Sequence, residues 1–380
     1  MRTQICIAFG GVSAEHEVSV ITGLQVAEKI DRSRYDVYCI YIAKDGRMLG
    51  YGDLPSRKSF LSAKSKTLSV GRDAKGSFFR EHGAFGKTIR PNAVYMAFHG
   101  GTGESGPFQG LLESFDIALT SSGIEGAVIT MNKGIGKEIL ASYGLPVVEG
   151  VTLRSVEILA NSQAVAHRAV ENIGLPVIVK PAHLGSSIGI HIVREEIELE
   201  KRLLEAAHLD AETVVERFIP SFREYSCAVR MHNGHIEASE IESPIAKDAI
   251  LSFADKYQRG GGKKSGHAES GMASLQRELP AKVDIALRER IIDTAKKAFI
   301  ATRCKGSPRI DFMVTPEGQL YITEINPIPG SMGFYLWEAK GISFTQQITD
   351  AIEQAMVDYT DRVAKRLDYS TDIIEKFVNG

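Results

Sequence analysis

"RIDFMVTPEGQLYITEIN", residues 309–326, decides how the rest of the chain is read. Side chains of a strand alternate between faces with a period of two. Arg309, Asp311 and Met313 therefore share one face of the first strand, and Leu320, Ile322, Glu324 and Asn326 share one face of the second. "TPEG" is a turn signal. A four-residue loop, Thr315 to Gly318, sets Val314 against Gln319, Asp311 against Ile322 and Arg309 against Glu324. In that register Arg309, Asp311, Glu324 and Asn326 converge, with Met313, Leu320 and Ile322 beside them; a slip of one residue destroys the convergence. Two carboxylates and an amide oxygen suit Mg²⁺, which takes a few protein oxygens together with phosphate oxygens. The apolar neighbours suit a flat base. A solvated strand face carrying an Arg–Glu pair is the other reading, and the hairpin alone does not choose.

The chain has 380 residues, which at about 150 residues per domain predicts two or three domains. With 43% hydrophobic and 24% charged residues it reads as globular, and a net charge of −2 gives no support for a nucleic-acid or anionic-membrane partner. Cys6, Cys39, Cys227 and Cys304 are scattered, with no CxxC pair, and read as reduced thiols. "MRTQICIAFGG" lacks a signal-peptide apolar region, and no apolar run approaches ~18 residues, so a cytoplasmic location is expected.

"ICIAFGG", a helix-spaced "SVITGLQVAEKI" and "YDVYCIYIA" read as strand, helix, strand, the start of a parallel α/β sheet. Residues 50–90 read as an irregular polar insertion, and "AVYMAF" as a strand ending at His99. After a composition change near residues 120–135, "ETVVERFI", "EYSCAVRM" and "HIEASEIES" read as an antiparallel series. "QRGGGKKSGHAESG" reads as a loop over a site.

Several segments could bind anions. Lys180 ends an apolar strand, and Gly185, Ser186, Ser187 and Gly189 follow in a loop whose backbone N–H groups and hydroxyls suit phosphate; an ordinary tight turn has the same composition. Lys133 and Lys137 sit near a helix start, where anions bind well. Glu216 and Glu224, at strand ends, are either partners for sugar hydroxyls or an amine, or plain surface acids. The glycines before Glu15 do not form a GxGxxG fingerprint, and a carboxylate there repels phosphate; Glu15 reads as a partner for an ammonium group or as a helix N-terminal acid. His99 is a substrate contact beyond a strand end, or a loop cap.

Taken in order, "GGVSAEHEVS", "HGGTGESGPFQG", "MNKGIGK", "LPVIVKPAHLGSSIGI", "VVERFI", "DKY", "RIDFM" and "EINPIPG" resemble the D-alanine–D-alanine ligases of the ATP-grasp superfamily, over residues 10–330. The resemblance implies an α/β (α+β) chain of three domains: an N-terminal Rossmann-like parallel sheet over 1–121, a central ATP-grasp domain over 122–220, and a C-terminal ATP-grasp domain with the metal site and a helical tail over 221–380. It implies ATP and two Mg²⁺ (or Mn²⁺) ions, the metals on Asp311, Glu324 and Asn326. Lys133, Lys180 and Lys256 would contact phosphates with Ser186 and Ser187, while Glu216, Glu224 and Met313 would lie near the adenine and ribose. Glu15 would hold the ammonium of the first D-alanine, with His99 nearby, and would link to Ser186 and Tyr257 when the loops close. Arg309 and the Gly330 N–H would face the tetrahedral oxyanion. The implied activity is ATP-dependent formation of D-alanyl-D-alanine, through a D-alanyl phosphate, for peptidoglycan precursors. A cytoplasmic homodimer is implied as well.

Three stretches depart from the family pattern. The usual "MDK" is "MNK" here, with Asn132, and the segment before Lys256 and Tyr257 differs. The serine-rich segment that binds the carboxylate of the second substrate is replaced by "SMGFYLW", where Ser331 or Tyr335 could supply the hydroxyl. Depsipeptide-forming members tend to lack the loop tyrosine, so Tyr257 favours an amine nucleophile; D-lactate, D-serine or another amino acid remains the alternative second substrate.

Overall fold

The computed structural model describes residues 2–185, 187–245, 277–365 and 372–379. The first sheet contains β1 (Thr3–Gly10), β2 (Tyr35–Ile42), β3 (Met48–Gly52), β4 (Lys66–Asp73), β5 (Gly76–Glu81), β6 (Thr88–Ile89) and β7 (Ala93–Met96), in the order β6-β5-β4-β3-β2-β1-β7. β1 runs parallel to both β2 and β7, and the remaining pairs are antiparallel. Flanked by a strand on either side, β1 is buried along most of its length, which is why "ICIAF" is a continuous apolar run. The helix His16–Lys29 packs on it so closely that a Cβ at Gly23 would come within 2.3 Å of the Phe9 ring.

Residues 50–90 are not an irregular insertion. They carry the antiparallel extension of the sheet, which corrects the sequence expectation and makes the sheet mixed. The reason for the miss is local: β4 buries only Leu68, so no apolar alternation marks it as a strand.

The second sheet has the order β10-β9-β11-β8, from β8 (Gly150–Arg154), β9 (Val177–Pro181), β10 (His191–Val193) and β11 (Glu212–Arg217). The helices Ser162–Ile173 and Glu196–Ala207 close its core. β12 (Arg223–His232) and β13 (His235–Ala238) belong to a third sheet, so the antiparallel series expected over residues 212–243 is split between two sheets. Pro220, which has no N–H to lend to a ladder, stands at the break. β14 (Ser243–Pro244) pairs with β15 (Arg277–Glu278) beside it.

The third sheet is completed by β16 (Arg309–Val314) and β17 (Leu320–Asn326), in the order β13-β12-β16-β17. Its register corrects the predicted hairpin. Val314 pairs with Leu320, Phe312 with Ile322, Asp311 with Glu324 and Arg309 with Asn326. The ladder shifts between Asp311 and Phe312, and Thr323 is the extra residue of a β-bulge there. Leu320 and Ile322, expected beside Met313, lie instead in the core with Phe312 and Val314. The bulge reverses the alternation, so Glu324 and Asn326 still reach the face of Arg309 and Asp311. The Thr323 hydroxyl donates to the Asp311 carbonyl at 3.0 Å and holds the bulge.

The segment after β17 returns to the first sheet. Ile328, Met332, Phe344, Ile348 and Ile352 are buried in the same apolar cluster as β1 and β7. We predict that Thr323→Val, which removes the hydroxyl bond to the Asp311 carbonyl, loosens the bulge and lowers the thermal midpoint, by the ~0.5–1.5 kcal/mol of one intramolecular hydrogen bond. An unchanged thermal midpoint in this variant would refute this account of the bulge.

Candidate active site

A cleft with an empty volume of about 750 Å³, open to solvent, lies where the three sheets meet. Of the residues singled out in the sequence, Glu15, His99, Lys133, Arg309, Asp311, Glu324, Asn326 and Gly330 line it. One wall is the face of β16 and β17. Arg309 donates to both oxygens of Asp311, at 2.7 and 2.8 Å, and the Asn326 amide donates to Asp311 Oδ2 at 2.9 Å. Burial opposes the charge of Arg309, but the Asp311 carboxylate holds its pKa well above the ordinary value. Arg309 thus pairs with Asp311, where Glu324 was the expected neighbour. Two of its five N–H donors serve Asp311, leaving others for a ligand. Across β12, Glu224 pairs with Met313 on this same face.

Among the described residues, no group of three His, Cys, Asp or Glu side chains is placed to hold a metal ion. The oxygen set here is smaller: the Asp311 and Glu324 carboxylates and the Asn326 amide. Asp311 accepts three hydrogen bonds, out of about four lone-pair sites on a carboxylate. That set fits a hard cation which draws its remaining ligands from phosphate and water.

The opposite wall comes from the first sheet. Ser13 donates to the His99 carbonyl at 2.8 Å and accepts from the Glu15 N–H at 3.0 Å, fixing the Glu15 loop against the end of β7. His99 is buried; its Nε2 lies 2.8 Å from Thr22 Oγ1 and its Nδ1 3.1 Å from the Ile328 carbonyl. The carbonyl can only accept, so Nδ1 carries the proton and Nε2 accepts from Thr22. Burial lowers the His99 pKa, consistent with this neutral form. Both nitrogens are thus engaged within the protein, and His99 ties two loops together where a ligand hydrogen bond was expected. Glu104, missed in the sequence, also lines the cleft. Its only signal was to be an acid inside the glycine-rich "HGGTGESG" loop.

The third wall carries Lys133, while Lys137 and Lys180 are not among the residues lining the cleft. Asn132 caps the helix Lys133–Ser142, accepting from the N–H groups of Gly134 and Ile135 at 2.9 and 3.0 Å. Lys133 Nζ donates to the Leu184 carbonyl at 2.7 Å, holding the strand exit ahead of the glycine loop; burial lowers its pKa. A Cβ at Gly185 would stand 3.3 Å from Glu15 Oε2, so that loop meets the Glu15 loop. Ser187 takes a left-handed φ of 60°. Ser186, Lys256, Tyr257 and the glycine-rich stretch 259–271 lie outside the described residues.

Lys180 does not stand alone at its strand end. Glu216 is buried between Lys180, at 2.7 Å, and Lys137, at 2.6 Å. Burial works against the Glu216 charge, yet the two ammonium groups hold its pKa below the ordinary value. Burial lowers Lys137 to about 8. Glu216, expected near the adenine and ribose, is here the counter-ion of two lysines. The partner that sequence reasoning left unassigned is Lys137, one helical turn after Lys133.

Beyond Gly330, Ser331 and Met332 adopt left-handed φ of 51° and 57°. Tyr335 is buried; its hydroxyl donates to Glu242 Oε1 at 3.1 Å, and the Arg277 guanidinium lies 3.9 Å from its ring centroid. Arg277 also donates to Glu242 Oε2 at 2.7 Å. The Tyr335 hydroxyl, expected to meet the second substrate, is therefore committed to Glu242. Neither Glu242 nor Arg277 carries a short-range sequence signal.

Family models described as the D-ala D-ala ligase N-terminus and C-terminus match residues 4–122 and 139–353. The chain belongs to the D-alanine–D-alanine ligase family. It is 34% identical over 373 residues to the D-alanine–D-alanine ligase of Thermosipho africanus, covering 97% of each chain. Its fold matches the D-alanine–D-alanine ligase structure from Coxiella burnetii with a TM-score of 0.79, at 24% identity over 96% of each chain. It matches the VanG D-Ala:D-Ser ligase of Enterococcus faecalis with a TM-score of 0.78, at 25% identity over 93% of this chain and all of that one. Against the ligase family pattern, Asn132 now has a physical partner: its amide donates to Glu212 at 2.7 Å, where an aspartate would meet a like charge.

Replacing Glu216 with Gln leaves two buried ammonium groups without a counter-ion. Breaking a buried pair in this way costs about 3–5 kcal/mol, read as a lower urea midpoint at pH 7; an unchanged midpoint would count against the triad. Lys137, at about 8 in the folded chain, titrates near 10.4 when unfolded. The unfolded state therefore binds more protons between these values, and this group makes stability rise with pH across that window. Lys137→Met should remove that rising limb in unfolding measurements from pH 7 to 10.

Proposed function

We propose that this chain joins two molecules of D-alanine into D-alanyl-D-alanine at the expense of ATP, supplying a peptidoglycan precursor. The carrying observation is the single cleft that gathers Glu15, Lys133 and the Arg309–Asp311–Glu324–Asn326 face from all three sheets. An ammonium partner, a phosphate-side cation and a hard-metal oxygen set in one cavity are what carboxylate activation by a nucleotide requires.

Carboxylates are poor acyl donors. The carboxylate of the first D-alanine attacks the γ-phosphorus of ATP, releasing ADP and forming an acyl phosphate. The amine of the second D-alanine then attacks the acyl carbon, loses a proton, and inorganic phosphate leaves. Glu15 holds the ammonium of the first substrate, opposite charge at short range in a partly buried loop. Lys133 and Lys180 present cations to the phosphates, with the glycine loop around Ser186 and Ser187 offering N–H and hydroxyl donors, and Lys256 and Tyr257 closing over the site. Met313 and Glu224 flank the base and ribose, and Glu216 keeps Lys180 ionised and aimed. Mg²⁺ or Mn²⁺, bound by Asp311, Glu324 and an Asn326 amide turned to present its oxygen, would supply charge neutralisation to the transferring phosphoryl group. Arg309 and the Gly330 N–H stabilise the oxyanion, and removing one such donor costs about 2.7–4 kcal/mol of transition-state stabilisation. The second D-alanine docks against the turn from Ser331 and the Tyr335 wall.

In this reading the chain divides into units 1–121, 122–220 and 221–380 and acts as a cytoplasmic homodimer. No helix among the described residues is long and apolar enough to cross a membrane.

A phosphate-release assay with ATP, Mg²⁺ and D-alanine, with products identified by mass, tests the proposal. D-alanyl-D-alanine is expected, with little product when D-serine or D-lactate is the added second substrate. ATP turnover indifferent to D-alanine would sink it. Arg309→Ala should lose most turnover while retaining ATP binding; an unchanged steady-state rate would remove its oxyanion role. Glu324→Gln should weaken the Mg²⁺ dependence of ATP binding, and an unaltered Mg²⁺ titration would count against ligation.

A further inference from the structure

Ile328 lies between the metal-side face, which ends at Asn326, and Gly330. Both of its backbone polar groups are held from the other side of the cleft. Its N–H donates to Glu104 Oε1 at 3.3 Å, and its carbonyl accepts from His99 Nδ1 at 3.1 Å. The second oxygen of Glu104 accepts the N–H of Gly100 at 2.6 Å. One buried carboxylate thus spans two loops far apart in sequence, the glycine turn after β7 and the exit of β17. The Ile328 side chain is anchored on the same side, 2% exposed in the core of the first sheet.

Among the described residues, no lysine or arginine forms an ion pair with Glu104. Its acceptor capacity goes to backbone N–H groups, the arrangement that fixes loop geometry most directly. Its neighbours in the cleft are Glu15 and Glu324, both acidic, with His99 beside it. Burial and these acids push its carboxyl up to about 8, so the group is held there against an electrostatic cost.

We propose that Glu104 is a positioning residue of the reaction: a strut that sets the Gly330 N–H at a fixed distance from the loop of Glu15 and His99, where the first substrate sits. The proposal rests on the reading of the cleft as the ligation site. Glu104 touches neither substrate nor nucleotide in this account. It determines whether the acyl carbonyl, once the acyl phosphate has formed, lies within reach of its oxyanion donor. Loss of the strut therefore affects the chemical step more than nucleotide binding.

The test uses the full chain with Glu104→Ala and Glu104→Gln. Glutamine keeps the shape and one acceptor oxygen but sets its amide group against the other N–H, so it serves if the alanine variant folds poorly. Amide hydrogen exchange over residues 326–333 should rise in both variants, more in Glu104→Ala. With D-alanine, kcat should fall about ten- to a hundred-fold, the effect of leaving buried N–H donors without their acceptor, while KM for ATP stays within about twofold of the parent. Unchanged exchange over residues 326–333 would overturn the strut whatever the turnover, and even if D-alanine proved not to be the substrate. Raised exchange with parental kcat, or a loss shared equally by kcat and KM for ATP, would overturn its role in positioning. Absent turnover in the parent chain would instead strike at the ligation reading, which keeps the two failures distinct.

Discussion

Everything on the cleft face of Asp311, Glu324 and Asn326 depends on the β-bulge at Thr323. An uninterrupted ladder would put Leu320, Ile322, Glu324 and Asn326 on one face, and no single environment satisfies all four. Burying Leu320 and Ile322 is worth about 1.5–3 kcal/mol each, whereas burying the Glu324 charge without a partner costs more than that gain. One extra residue resolves the conflict: the leucine and isoleucine stay in the core of the third sheet, and the acid and amide turn to the face of Asp311. The hydroxyl of Thr323 closes on the Asp311 carbonyl, so the residue that breaks the pattern also fastens it.

Buried charges elsewhere follow a second constraint. Lys137 and Lys180 share Glu216, Arg309 grips Asp311, Arg277 grips Glu242, and Arg230 pairs with Asp350 while lying 4.4 Å from the Trp337 ring centroid. Such pairs add little net stability relative to apolar packing, because desolvation offsets the attraction. Their effect is directional. A bidentate guanidinium admits one orientation of its carboxylate, so Asp311 presents a fixed edge to the cleft and Arg309 a fixed remainder of donors. Tyr335 is set in the same way by Glu242 and Arg277.

Much of this was legible in the sequence, and the reasons differ by residue. Period-two alternation correctly grouped Arg309, Asp311 and Met313 in β16, but in β17 it misplaced Leu320 and Ile322, and Glu324 and Asn326 reach the expected face only through the bulge. A bulge has no reliable local signature: Thr323 looks like any strand threonine. β1 was legible because both of its faces are apolar, whereas β4 was not, with a single buried side chain. Lys133 and Lys180 announced themselves by position at element ends. Glu216 was visible as a charged residue at a strand end, but its two lysine partners arrive from other elements. Glu242 and Arg277 gave no signal because their partners lie far along the chain, and Glu104 gave only a faint one because its link to Ile328 spans distant segments.

The turn after Gly330 shows how far that distance matters. Ser331 and Met332 sit in the left-handed region, where each non-glycine residue costs on the order of 1–3 kcal/mol. Nothing in their own sequence favours it. The compensation comes from either side: Ile328 before the turn, Met332 within it, and Phe344, Ile348 and Ile352 after it are buried in the core of the first sheet. The Gln347 amide adds a hydrogen bond to the Met332 carbonyl at 2.8 Å. The hairpin bearing Asp311 and Glu324 is thus held by the third sheet, and the turn bearing Gly330 is held by the first. The spacing between the Asp311–Glu324–Asn326 oxygen set and the Gly330 N–H is therefore a property of how two sheets are joined across the cleft. It is set by contacts that lie outside both groups.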